Sequence, residues 1–258
     1  MAVLRIGSSH FKLNPFALVL TLLAIVLMIK LGFWQISRGE EKQAIIDRNS
    51  AANAQGEVTL SADNAHTFSA RQDQWVAFSG SIQQAPIFLV ENQIHNSQVG
   101  YHVIAPVKLT DSSLTIPVNF GWIAALETRS EMPQFQLSDT AQFVGRVYIP
   151  EAPFLLSEQS APANAEQQYV RIQYPELTVL ERHIKERHDS VNVSDFMVRL
   201  LPQEESSEAT QWVREWPVVV MPPHKHYAYA VQWFGLALAA LIIFLLASRV
   251  RHSSIKDS

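Results

Sequence analysis

The chain has 258 residues, 48% of them hydrophobic and 17% charged, with a formal net charge of −4 and a mean hydropathy of +0.03. That charge balance, with no long basic stripe, excludes a general affinity for nucleic acid, and an index near zero in so apolar a chain means that the apolar residues are gathered into segments. Cysteine is absent, which excludes disulfides, zinc–thiolate sites, iron–sulfur clusters and haem attached through paired thiols.

The first apolar segment follows Lys12: NPFALVLTLLAIVLMI, then Lys30, then LGFWQI. Residues 13–35 make a helix of roughly 33 Å, enough to cross a bilayer if Lys30 extends its ammonium to the interface. A cleavable signal peptide is the alternative, but no small-x-small site follows closely, Ala52-Asn53-Ala54 being too far downstream. Helical periodicity continues to about Arg48. Trp34, Arg38 and Lys42 recur at i, i+4 and i+8, so one face carries an indole at membrane level with two cations above it. The same spacing also describes an aromatic belt on a solvated helix end.

From Gln74 the pattern becomes β-rich. QWVAFSGSI, PIFLVENQI, GYHVIAPVKL, LTIPVNFGWIA, AQFVGRVYI, QYVRIQ and VNVSDFMVRLL read as about seven strands, punctuated by Pro86, Gly100, Pro106, Pro117 and Pro150. PELTVLERHIKERH reads as a helix with Leu177, Leu180 and Ile184 on one face. Residues 50–70 and 202–210 are polar and read as loops. The predicted class is a membrane-anchored α+β protein. Terminal transmembrane helices flank a mainly antiparallel β external domain over residues 36–226, barrel- or sandwich-like, with one or two helices. No glycine-rich phosphate loop, nucleophile elbow or H-E-x-x-H motif is present, and no enzyme is expected. His183 and His188 read as a solvated cationic helix end, and His102 as a partly buried core residue.

The second apolar segment is the uncharged run from Ala228 to Ala247, about 30 Å as a helix, and residues 227–247 are read as the second span. Pro222-Pro223 fixes an extended approach to it. A helix starting near His226 places His226, Tyr229 or Ala230, and Trp233 on one face, with Trp233 about 10 Å deeper. An imidazole there suits the metal of a flat aromatic ligand while the indole packs on its ring system. His and Tyr are also ordinary interfacial residues, and His224 with His226 is a conceivable copper pair. Arg5 and Lys12 before the first span, and Arg249, Arg251 and Lys256 after the second, place the termini, residues 1–12 and 248–258, in the cytoplasm and the intervening domain outside.

Four separated motifs then align with one family. Leu31-Gly32-Phe33-Trp34-Gln35-Ile36-Ser37-Arg38 followed by Glu41-Lys42, Gly100-Tyr101 through Pro106, Pro117-Val118-Asn119-Phe120-Gly121-Trp122-Ile123, and His226, Tyr229, Ala230, Trp233 and Phe234 together resemble the Surfeit-locus-one family of cytochrome c oxidase assembly proteins. Departures are Phe120 in place of an arginine, Ala124 where a proline often follows, His224-Lys225 where asparagines commonly stand, and residues 169–173, which lack an expected tryptophan and aspartate. The resemblance implies a bacterial inner-membrane protein with two spans and a periplasmic β domain. It also implies binding of haem a and help with its insertion into subunit I of a haem-copper oxidase, with haem a synthase and the lipid bilayer as further partners and His226 as the axial ligand. On that basis Trp34 and Trp233 would bound a pocket, and the Arg38 guanidinium would suit the propionates. A haem-independent scaffold for subunit I is the alternative, and a copper-handling protein the third.

Overall fold

The structure is a computed structural model that describes residues 2–6, 9–128, 131, 133–137, 141–151, 168–188, 190–202 and 212–249. In chain order the elements are β1 (Ala2–Ile6), β2 (Ser9–Leu13), α1 (Pro15–Ala54), β3 (Val58–Thr59), a 3₁₀ turn (Ala65–Ala70), β4 (Trp75–Ile82), β5 (Ile87–His95), β6 (Gln98–Leu109), β7 (Leu114–Ala124), β8 (Gln142–Tyr148), β9 (Tyr169–Ile172), α2 (Leu177–Arg187), β10 (Asn192–Val193), β11 (Met197–Leu200) and α3 (Pro223–Ser248). They form two compact units, one of residues 1–47 and 218–258, the other of residues 48–217.

In the first unit β1 and β2 pair as an antiparallel hairpin. Asn14 then starts α1, its Oδ1 accepting the amides of Phe16 at 3.0 Å and Ala17 at 3.4 Å, with Pro15 at the first helical position. Pro222, extended, and Pro223 start α3 in the same economical way. Leu20, Leu23, Val26 and Leu27 on α1, and Val231, Leu238, Ile243 and Leu246 on α3, lie more than half exposed. Both helices are long and apolar enough to cross a membrane, and almost none of their apolar surface is covered by protein. Water would not tolerate such a surface, whereas hydrocarbon does. At 1.5 Å per residue the 40 residues of α1 extend about 60 Å, so half of it lies beyond a bilayer core.

The second unit is a closed barrel. β7 pairs with β11 in parallel, while β11 with β8, β8 with β4, β4 with β6 and β6 with β7 are antiparallel, which returns the ring to its start after five strands. β5 and β9 extend the sheet beyond β6, β10 lies beside β7, and β3 beside β4. Strand alternation fills the interior: Val76 and Phe78, Tyr101, Val103 and Val107, Ile116, Val118 and Phe120, Phe143 and Val147, and Val198 and Leu200 form one buried cluster. The opposite face of the sheet meets α2, where Phe88, Val90, Ile104 and Met197 pack on Leu180 and Ile184. Gly121 carries the sharpest backbone demand. Its φ is +131°, beside a register shift in the β6–β7 ladder, and its amide donates to the buried Asn119 Oδ1 at 3.0 Å.

Three expectations are corrected here. Residues 50–70 are not a loop: α1 continues to Ala54, β3 follows, and Leu60 and Phe68 are core residues. The helix end is held by Trp75, whose indole donates to Asn53 Oδ1 at 2.8 Å, and by Arg146, which donates to Asn49 Oδ1 at 3.2 Å. The run over residues 191–201 is two strands, because Ser194 turns its hydroxyl to the Phe196 carbonyl at 2.7 Å and interrupts the ladder. His183 is buried, edge-on to Phe88 at 6.0 Å between centroids, and not part of a solvated cationic end. Of the expected loop over 202–210, residues 203–210 lie outside the described residues.

His102 is half-buried and stacks on Trp216 at 5.1 Å. Burial, helped by the Arg199 charge, pushes its pKa from 6.5 down to about 4, and burial likewise lowers that of His183. Between pH 6.5 and 4 the unfolded chain binds a proton that the folded His102 imidazole refuses, so its contribution to stability is full above pH 6.5 and falls as the pH drops toward 4, and the lowered His183 acts in the same direction. For His102 the loss at the lower limit is about 3 kcal/mol. Chemical denaturation between pH 7 and 4.5 is expected to show a midpoint that falls with pH, less steeply in His102→Phe.

Candidate ligand site along the seam of the two apolar helices

Small residues let α1 and α3 approach. A β-carbon at Gly32 would lie 2.5 Å from Cε1 of Phe234, and one at Gly39 would lie 2.5 Å from Cε1 of Tyr227, so both rings occupy space that the glycines leave open. The pairing of Gly32 with Phe234 and Gly39 with Tyr227 makes the helices antiparallel, and Phe33 adds an edge-on contact to Phe234 at 5.4 Å. On α3 the buried positions are Pro223, His226, Ala230 and Ala237. Ala230 therefore shares the inward face with His226, while Tyr229 is exposed.

Gln35 lies three residues after Gly32 and four before Gly39, on the same stripe of α1. Its Oε1 is 2.8 Å from Nδ1 of His226 and accepts that proton. The other ring nitrogen, Nε2, is buried and has no hydrogen-bond partner among the described residues. A neutral imidazole with its proton committed on Nδ1 carries its lone pair on Nε2, which makes that atom a metal-ligating donor.

The remaining expected site residues are arranged unequally. At about 100° per residue, Tyr229 and Trp233 leave the inward stripe of α3 on the flank opposite to Tyr227 and Phe234, and Gln35 and Arg38 lie on the corresponding flank of α1. Trp233 is half-buried. Trp34 turns further from the stripe, is half exposed, and makes no ring contact with Trp233 among the described residues. Arg38 is already engaged: its guanidinium sits 5.8 Å from the Trp34 ring centroid, and its Nη1 is 2.6 Å from Glu41 Oε2. Both partners are nearly half exposed, so water screens this pair and it yields readily to another carboxylate. His224 is exposed and lies about 200° round the helix from His226, so the two imidazoles diverge and cannot share a copper ion. Among the described residues no three His, Cys, Asp or Glu side chains are grouped to hold a metal.

The SURF1 family profile matches residues 22–238, most of the chain. The chain belongs to the SURF1 family. No curated protein matches it significantly. Family membership gives the chain a role in cytochrome oxidase assembly. The matched span opens within α1 and closes within α3, so it includes Gly32, Gln35, Gly39 and His226.

In the barrel, the family-like motif residues serve structure. Asn119 receives the Gly121 amide, the Trp122 indole donates to the Gln93 carbonyl at 3.0 Å, and Phe120, the departure from arginine, is a core residue edge-on to Phe143. Gln35 stands in the motif over residues 31–38, but the expected site fell on its neighbours Trp34 and Arg38. The 32, 35, 39 spacing was the signal that it faces the partner helix.

Proposed function

We propose that this SURF1 family protein binds haem a through His226 and assists its insertion into subunit I of a haem-copper oxidase. The single observation that carries the proposal is the buried Nε2 of His226, an imidazole donor without a partner beside its hydrogen-bonded Nδ1. Leaving a buried polar atom unsatisfied is costly, and an imidazole nitrogen in apolar surroundings suits haem iron. Were haem a bound, His226 Nε2 would be the residue atom that holds its iron.

The chain's own residues do the rest. Trp233 offers a half-buried aromatic surface on the flank that also carries Tyr229. Arg38, whose bond to Glu41 is exposed and weak, is the cation available for propionates on the same flank. A single histidine ligand with aromatic packing would give the modest hold that handover to the oxidase requires. The proposed setting is a bacterial inner membrane, with both termini cytoplasmic, as the flanking Arg5, Lys12, Arg249, Arg251 and Lys256 favour. The β domain then faces the periplasm, and haem a synthase is the proposed source of the cargo.

Purified from cells that make haem a, the wild type is expected to carry haem a absorption bands, and His226→Ala to lose them while its melting temperature in detergent changes little. A haem-free wild type overturns the proposal and leaves a haem-independent scaffold for subunit I.

A further inference from the structure

Gln35 stands on α1 while its hydrogen-bond partner stands on α3, and the partner's far nitrogen is the one left bare. An isolated neutral imidazole divides its proton between two nitrogens, and its ring turns about the Cβ–Cγ bond. A fixed acceptor at one nitrogen removes both freedoms, because only one tautomer and one ring orientation satisfy it. The glycines on either side of Gln35 set the interhelical spacing at which its amide reaches the imidazole.

We infer that Gln35 is the positioning residue for His226: it holds the proton on Nδ1, presents Nε2 as the ligating atom, and so makes ligand binding a property of both helices. The coordinating part of this assignment rests on the haem reading above; the tautomeric part does not. Histidine alone on α3 would be a competent base but an unaimed one. The neutral amide also fixes the ring without adding charge to a dry site, where an ionised carboxylate is expensive.

The test uses full-length protein in nanodiscs, in three forms: wild type, Gln35→Met, which keeps length and apolar fit but lacks the acceptor, and Gln35→Glu, which accepts whether or not it is ionised. Nitrogen-15 NMR of histidine-labelled, haem-free protein reports which ring nitrogen of His226 carries the proton, the signal being identified by its loss in His226→Ala. Titration with haem a, followed by absorption, reports affinity. The expected result is an Nδ1 proton in wild type and Gln35→Glu and a mixture in Gln35→Met. Haem a affinity should fall about 10- to 100-fold in Gln35→Met and be restored in Gln35→Glu. A wild-type proton on Nε2, or a Gln35→Met variant with unchanged tautomer and affinity, overturns the inference. An Nδ1 proton that depends on Gln35 in a protein that takes up no haem a overturns the haem reading and the coordinating role together. Gln35 would in that case still be shown to set the tautomer.

Discussion

Phe143→Ala is expected to lower the melting temperature of the full-length protein in detergent by on the order of 10 °C. Phe143 is sealed inside the barrel, stacked on Phe78 at 5.3 Å between centroids and edge-on to Phe120 at 6.3 Å. Truncation removes a large apolar group from the interior of a five-strand ring, and a closed backbone ladder cannot collapse to fill the void. The loss is therefore at the upper end for such substitutions, about 3–5 kcal/mol, against a typical total of about 5–15 kcal/mol. Ile94→Ala, at an exposed position on β5, is the control and should change stability by no more than about 0.5 kcal/mol. A Phe143→Ala variant that loses less than about 1 kcal/mol would mean that the ring is not closed around that side chain.

The second large effect is expected from Gly32→Leu combined with Gly39→Leu. Each leucine begins with a β-carbon already 2.5 Å from an aromatic carbon of α3, so the helices must separate or the rings of Phe234 and Tyr227 must leave the seam. Overpacking costs about 1–3 kcal/mol per site. The glycines are about 10 Å apart along α1, far enough for the two costs to add. Because the native chain has no cysteine, nitroxide labels can be placed uniquely at Leu27 and Val231, both exposed. The distance distribution between them should broaden and lengthen in the double variant. An unchanged distribution would show that the helices are not held together at these glycines.

Much of the fold was legible because strand and helix periods were clean. Val76 and Phe78, or Tyr101, Val103 and Ala105, alternate as a half-covered strand must, and the two apolar helices announced themselves by length. Closure of the ring was not legible, since it depends on β11 finding β7 and β8 across long stretches of sequence, and no local pattern records such pairings. Leu60 and Phe68 were hidden because single apolar residues in a polar stretch have no period. His183 was misjudged by its charged neighbours Arg182, Lys185 and Arg187, although Leu180 and Ile184 define the buried face on which it sits. At the candidate site, His226 was visible from its placement ahead of an uncharged run. Its partner was not, because a hydrogen bond across 191 residues leaves its trace only in the helical phase of Gln35.

The place of β11 in the ring constrains the order of folding. Met197–Leu200 is the last strand among the described residues, yet it bridges β7 and β8, strands begun some 80 and 55 residues earlier. Until residue 200 has left the ribosome and reached its compartment, the growing domain is an open sheet with two bare rims, the arrangement most prone to sticking to its neighbours. The segment leading into α3, and α3 itself, are made after that point. Completion of the barrel thus shortly precedes the synthesis of α3, and a chain stalled before β11 would be a target for proteolysis.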